Sequence, residues 1–139
     1  MPLLALVTIA GIAITPPAGW FTSTRPLDNV TDPVQRLVLS SYRIQGGSGA
    51  VPPSNAVLAQ LDEEVPPLFS SDRAWPRRPS RFRLPRLGSL ETHAGGRWGE
   101  IVFRDRGRHF YVFVWVGRRA SATNVRLLLQ ALDGIRVNP

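Results

Sequence analysis

Residues 98–116, WGEIVFRDRGRHFYVFVWV, read as two β-strands joined by a short polar turn, and they decide the fold. In the second strand Phe110, Val112, Val114 and Val116 alternate with Tyr111, Phe113 and Trp115. Successive strand side chains point to opposite faces, so both faces are apolar, one mostly aliphatic and one wholly aromatic. Such a strand belongs inside a sheet covered on both sides. Phe103 is expected to end the first strand and His109 to begin the second. Arg104-Asp105-Arg106-Gly107-Arg108 then forms a five-residue loop in which Gly107 takes the positive φ.

The chain closes with a helix signal. Ser121 or Thr123 serves as cap, Val125, Leu128, Leu129 and Leu132 recur at helical spacing, and Gly134 terminates the run. Ile135 and Val137 return the chain to the core. The aliphatic face of the preceding strand suits this helix. The expectation is a single α/β (α+β) domain, a sandwich with a mostly antiparallel twisted sheet and the C-terminal helix packed on one face.

Upstream, Pro2–Thr15 carries no charge and is almost wholly apolar. At 14 residues it is shorter than the roughly 20 a membrane-spanning helix needs. It fits the core of a secretory signal but lacks the basic residues that should precede one. A start site placed too far downstream would explain that. Ile12–Thr15 is predicted as the first strand, and residues 1–11 as an apolar leader remnant or a strand extension. Export or anchoring and a cytoplasmic location stand level. Residues 12–139 form the domain.

Asp32 and Pro33 have the form of a helix start, opening a short helix before a strand over Leu37–Ile44. Residues 45–53 read as a flexible loop. Ser54 is expected to cap a small helix through Leu61 that buries Val57, Leu58 and Leu61. Residues 62–80 read as an extended Pro/Arg-rich crossover, and Arg81–Leu84 as a strand by alternation.

The 139 residues are 43% apolar and 19% charged, which suits one folded domain. Cysteine is absent, which excludes disulfides, thiolate metal sites and thiol nucleophiles. All 17 basic residues are arginine. A GC-rich coding sequence accounts for that more simply than selection for bidentate anion recognition. The absence of lysine excludes Schiff-base chemistry and the phosphate-binding lysine loop. Charge is uneven: three arginines against six acids up to Asp72, then fourteen against four. A basic half of this kind suits an anionic partner, although arginines that merely keep the surface solvated are commoner.

Catalytic chemistry has little basis. His93 and His109 have no neighbouring ligands in sequence, and the nearest acid able to face His109 is Glu100. No Gly-x-Ser-x-Gly elbow is present. The Gly46–Gly49 run lacks the lysine of a phosphate cradle, and the Asn29-Val30-Thr31 triplet is discounted as a glycosylation signal. No enzyme activity, cofactor or metal is expected.

Two binding surfaces stand out. The stretch 73–86, RAWPRRPSRFRLPR, interleaves arginine with Trp75 and Phe82, as in single-strand nucleic-acid binding. Its candidate contacts are Arg77, Arg78, Arg81 and Arg83. The ladder Tyr111, Phe113 and Trp115 lines a pocket with Trp98 and Trp20, or is core under a helix, or is a surface completed by a partner. The leading reading is a non-enzymatic accessory or protein-interaction domain. The alternative is an anion-binding module for nucleic acid or anionic lipid through residues 73–86. Oligomeric state is left open.

Three stretches carry a resemblance: Pro17-Ala18-Gly19-Trp20, Ser41-Tyr42-Arg43, and the hairpin Phe103–Arg108 with the helix ending Leu132-Asp133-Gly134. Together they resemble a group of small actinobacterial α/β proteins that supply no catalytic residue to carry over. The order of elements is similar to the Mog1/PsbP-like sandwich, which implies an antiparallel sheet flanked by a final helix.

Overall fold

A computed structural model describes residues 5–25, 27, 33–45, 51–65, 75–88 and 95–139. The Asn29-Val30-Thr31 triplet, Asp32, the Gly46–Gly49 loop and His93 lie outside them. The architecture is strand-dominated α+β, with two antiparallel sheets and a C-terminal helix. No helix among the described residues is long and apolar enough to cross a membrane.

The elements in chain order are β1 (Val7–Ile9), β2 (Ile12–Ile14), β3 (Phe21–Ser23), β4 (Val34–Ser40) and β5 (Val57–Glu64). Then follow β6 (Gly96–Asp105), β7 (Arg108–Gly117), α1 (Ala122–Asp133) and β8 (Arg136–Val137). The larger sheet has the order β3-β4-β5-β7-β6, and the smaller one β1-β2-β8. Strand β7 therefore has a hydrogen-bonded partner on each side.

The hairpin turn is tighter than its composition suggests. Strands β6 and β7 pair from Gly96↔Gly117 to Asp105↔Arg108, so the loop has two residues and not five. Arg106 and Gly107 have φ 52° and 76°, the left-handed pair that matches strand twist in a two-residue hairpin. Arg104, Asp105 and Arg108 look like loop residues because polar side chains at a hairpin tip reach water from paired backbone. Arg106 pays the steric cost of a Cβ in the left-handed region. Arg106→Asn is expected to raise stability by about 0.5–1 kcal/mol, since Asn-Gly suits this turn best. Denaturant unfolding checks this, and a lower midpoint would contradict the assignment.

Both helices expected upstream are strands. Val34 is already extended one residue after Pro33, and β4 ends at Ser40 rather than running to Ile44. Residues 57–64 form β5, in the middle of the sheet between β4 and β7. Val57, Leu58 and Leu61 fit a helical stripe only because β5 is buried on both faces, and a continuous apolar run has no distinctive period. The crossover predicted from residue 62 loses Asp62, Glu63 and Glu64 to this strand.

The main core gathers residues from both sheets and from the helix. Leu37, Leu39, Val57, Ala59, Leu61, Phe103, Phe110, Val112 and Val114 from the larger sheet meet Ile12, Ile14, Leu128, Leu132, Ile135 and Val137. The strand predicted at Ile12 is present as β2, and Val7 and Ile9 fold back on it through the Ala10-Gly11 turn. Ser121 caps α1, its Oγ accepting from the Asn124 N–H at 3.0 Å, so Thr123 is inside the helix. Leu128 and Leu132 are buried and Val125 and Leu129 half-buried, as the stripe predicts.

Residues 75–88 run along the open edge of β6. Near one end Arg77 bridges Arg104, and at the other Gly88 bridges Trp98 through two hydrogen bonds of 2.7 and 3.0 Å. Between them Phe82 enters the main core. Arg81–Leu84 is therefore no strand, although Phe82 is buried and Arg81, Arg83 and Leu84 are exposed. Its partner edge is only bridged because three prolines remove ladder donors. Gly99 lets the segment lie close: a Cβ there would stand 2.8 Å from the Arg86 carbonyl oxygen and from Pro85 Cγ. Covering an edge strand in this way blocks edge-to-edge pairing with other chains.

Candidate functional site

The face of the larger sheet turned away from the helix collects the remaining chemistry. Alternation places Trp98, Glu100, Val102 and Arg104 of β6 there. Opposite them stand Trp115, Phe113, Tyr111 and His109 of β7, and next Leu58, Gln60, Asp62 and Glu64 of β5. The aromatic ladder predicted from sequence is thus one face of one strand. Trp98 joins it, its ring 6.0 Å from that of Phe113. Trp20 does not, because it packs against the main core on the other side.

The face divides into two parts. At one end Trp115 is buried with Val38, Ala56 and Leu58 in a second small core, flanked by Leu27, Tyr42, Ile44 and Trp98. Burial pushes the Tyr42 hydroxyl above its ordinary pKa, so it stays protonated across the physiological range. The Trp115 Nε1 is buried with no acceptor among the described residues. At the other end Tyr111 and Phe113 remain half-buried. The Tyr111 hydroxyl donates to Glu64 Oε2 at 2.5 Å. Trp75 sets its ring edge-on against Tyr111 and His109, at 5.1 and 5.0 Å.

Six carboxylates lie among the described residues, and they sort by face. Glu63, Asp105 and Asp133 hold the fold: Glu63 pairs with Arg36 and Arg108, Asp105 with Arg78, and Asp133 accepts the Phe82 N–H. Asp62, Glu64 and Glu100 all stand on the aromatic face. Asp62 is buried, and Gln60 Nε2 donates to both its oxygens at 3.0 and 3.1 Å. Local pattern carries no sign of this grouping, because the segment with Asp62 and Glu64 reads as crossover and not as a central strand.

Glu100, the acid that could have faced His109, does not stand opposite it. His109 stands opposite Arg104 and Glu64, whereas Glu100 stands opposite Phe113, four residues along the strand. Among the described residues no three His, Cys, Asp or Glu side chains are close enough to hold a metal ion.

The arginines of the 73–86 stretch separate as well. Arg78 is consumed by the fold. Its guanidinium donates to the carbonyls of Ile135, Asp133 and Leu132 at 2.5, 2.8 and 3.2 Å and to Asp105 at 3.1 Å. A cation at a helix C-terminus satisfies the last carbonyls and opposes the helix dipole. Arg77, Arg81 and Arg83 are exposed. Trp75 and Phe82 are turned inward, one to each face of the sheet, so neither offers a ring on which a base would stack.

These features define a strand-dominated α+β domain with one helix-covered face and one aromatic, carboxylate-bearing face. Comparisons of the chain with protein-family models, with curated proteins and with solved structures return no match.

Proposed function

We propose that this chain is a non-enzymatic protein-interaction domain whose contact surface is the aromatic face around Trp98, Tyr111 and Phe113. One observation carries the reading. Half-buried aromatic side chains and the carboxylates of Asp62, Glu64 and Glu100 stand together on the face away from the helix. Protein interfaces are enriched in Tyr, Trp and Phe and ringed by polar groups that bond across the rim. We also read the two sheets as layers of one sandwich of the Mog1/PsbP-like kind. The common core of Ile12, Ile14, Val112 and Val114 supports this.

The test uses Trp98→Ser and Phe113→Ser. Both side chains are half-buried, so each substitution is expected to cost no more than about 2 kcal/mol, and thermal melts should show folded protein. Affinity capture followed by measured binding of the captured partner should then fail with both variants and survive Arg126→Gln on the exposed side of the helix. If the variants retain the partner with unchanged affinity, this face is not the contact surface. If either costs as much as a core truncation, the face is interior and the reading falls.

A further inference from the structure

Segment 75–88 has a property that edge protection does not require. Arg77, Arg81, Arg83 and Arg86 are all exposed along it, and Arg97 and Arg104 are exposed on the adjoining strand β6. None of Arg77, Arg81, Arg83 and Arg86 forms an ion pair among the described residues. Leu84 stands in their midst, 39% exposed, where a solvated edge would carry a polar residue. The backbone that presents them is fixed by the β6 bridges at Arg104 and Trp98, by Phe82 in the core and by Arg78 on the helix end. Pro76, Pro79 and Pro85 restrict it further. Because that backbone is already held, binding has to order only the arginine side chains and not the segment that carries them.

We propose that this edge docks on an anionic lipid surface, with Arg81, Arg83 and Arg86 on headgroup phosphates and Leu84 seated below them. The distance along β6 from Trp98 to Arg104, about 20 Å, allows several headgroups to be engaged at once. Arginine bonds phosphate oxygens bidentately, and a basic surface is drawn to an anionic leaflet. An apolar side chain framed by arginines is the pattern of an interfacial anchor. Nucleic acid shares the phosphate chemistry but not the rest. Its single-stranded form rewards exposed aromatic rings, and here Trp75 and Phe82 are buried while the exposed apolar residue is a leucine. The proposal does not rest on the aromatic face.

The full chain should sediment with vesicles of phosphatidylcholine containing about one third phosphatidylglycerol, and not with phosphatidylcholine alone. Retention should weaken as salt rises. Arg81→Gln, Arg83→Gln and Arg86→Gln combined should reduce partitioning roughly 100-fold, at about fivefold for each arginine. Leu84→Ser should reduce it roughly fivefold while leaving binding to a duplex oligonucleotide unchanged. All four residues are exposed, so melts should not move. The proposal is overturned if neutral and anionic vesicles retain the chain equally or not at all. Tighter binding to the oligonucleotide than to anionic vesicles, with Leu84→Ser without effect on either, overturns it in favour of nucleic acid.

Discussion

Phe103→Ala is expected to lower the stability of the folded chain by about 4 kcal/mol, in the range for an aromatic core truncation. Phe103 is fully buried. Its ring stacks on Phe110 at 5.3 Å and 27° and receives the edge of Phe82 at 5.3 Å and 73°. The loss has two parts: the transfer energy of the ring and a cavity bounded by two aromatic side chains in different segments. Phe82 is the core anchor of segment 75–88, so the variant should also release that segment from β6. Urea unfolding gives the first effect. Faster amide exchange at Arg78 and Gly88, whose N–H groups bond to Arg104 and Trp98, reports the second. Phe103→Leu, which refills most of the volume, should recover more than half the loss. A cost below about 1 kcal/mol would mean that the three rings do not form the joint between edge and core.

Glu63→Gln is the second large effect, at about 3 kcal/mol. Glu63 lies on the core face opposite Phe110, with 8% of its side chain exposed. Arg108 donates to both its oxygens at 2.8 and 2.7 Å, and Arg36 to one at 2.9 Å. Arg108 also donates to the carbonyls of Ala10 and Asn138, so one guanidinium ties the larger sheet to the smaller. Removing one member of a buried pair leaves the other charge uncompensated. Burial alone would raise the Glu63 carboxyl, but the hydrogen bonds and charges of Arg108 and Arg36 outweigh it and hold the group below its ordinary range. The unfolded chain titrates this group at about pH 4.3. Its contribution is therefore complete above that pH and is lost as pH falls through the lower value of the folded state. The native chain should lose stability in that acid window, and Glu63→Gln should start lower and lack that part of the slope. Denaturant midpoints measured from neutral pH into acid decide it. Parallel curves would remove Glu63 as the group responsible.

Much of the architecture is legible in local sequence where one period dominates. Alternation across Phe110–Val116 places a central strand and names its two faces, and the Val125–Leu132 stripe with Ser121 before it places the helix. Each is a pattern with a single physical solution. Residues 57–64 are different. A strand buried on both faces has no alternation, and Val57, Leu58 and Leu61 then match a helix as well as a strand. That one misreading hides the grouping on the aromatic face, since Asp62 and Glu64 come to stand beside Tyr111 only when β5 is extended and in register with β7.

The sequence by itself determined the hairpin, its aliphatic and aromatic faces, the closing helix and the basic charge of the second half. These depend on residue type and spacing within a few turns or strand steps. Tertiary structure alone decided the fate of each arginine and aromatic residue of segment 73–86, and which carboxylates serve the fold. Arg78 and Arg81 are identical in sequence terms. One is drawn to the carbonyls of a helix end more than fifty residues away, and the other is left in water. The same holds for Trp98–Val116: the chain specifies an aromatic face, but its covering at Trp115 and its openness at Tyr111 and Phe113 follow from strands brought alongside by the core. Burial and partnership are properties of what packs nearby, and local sequence does not carry that information.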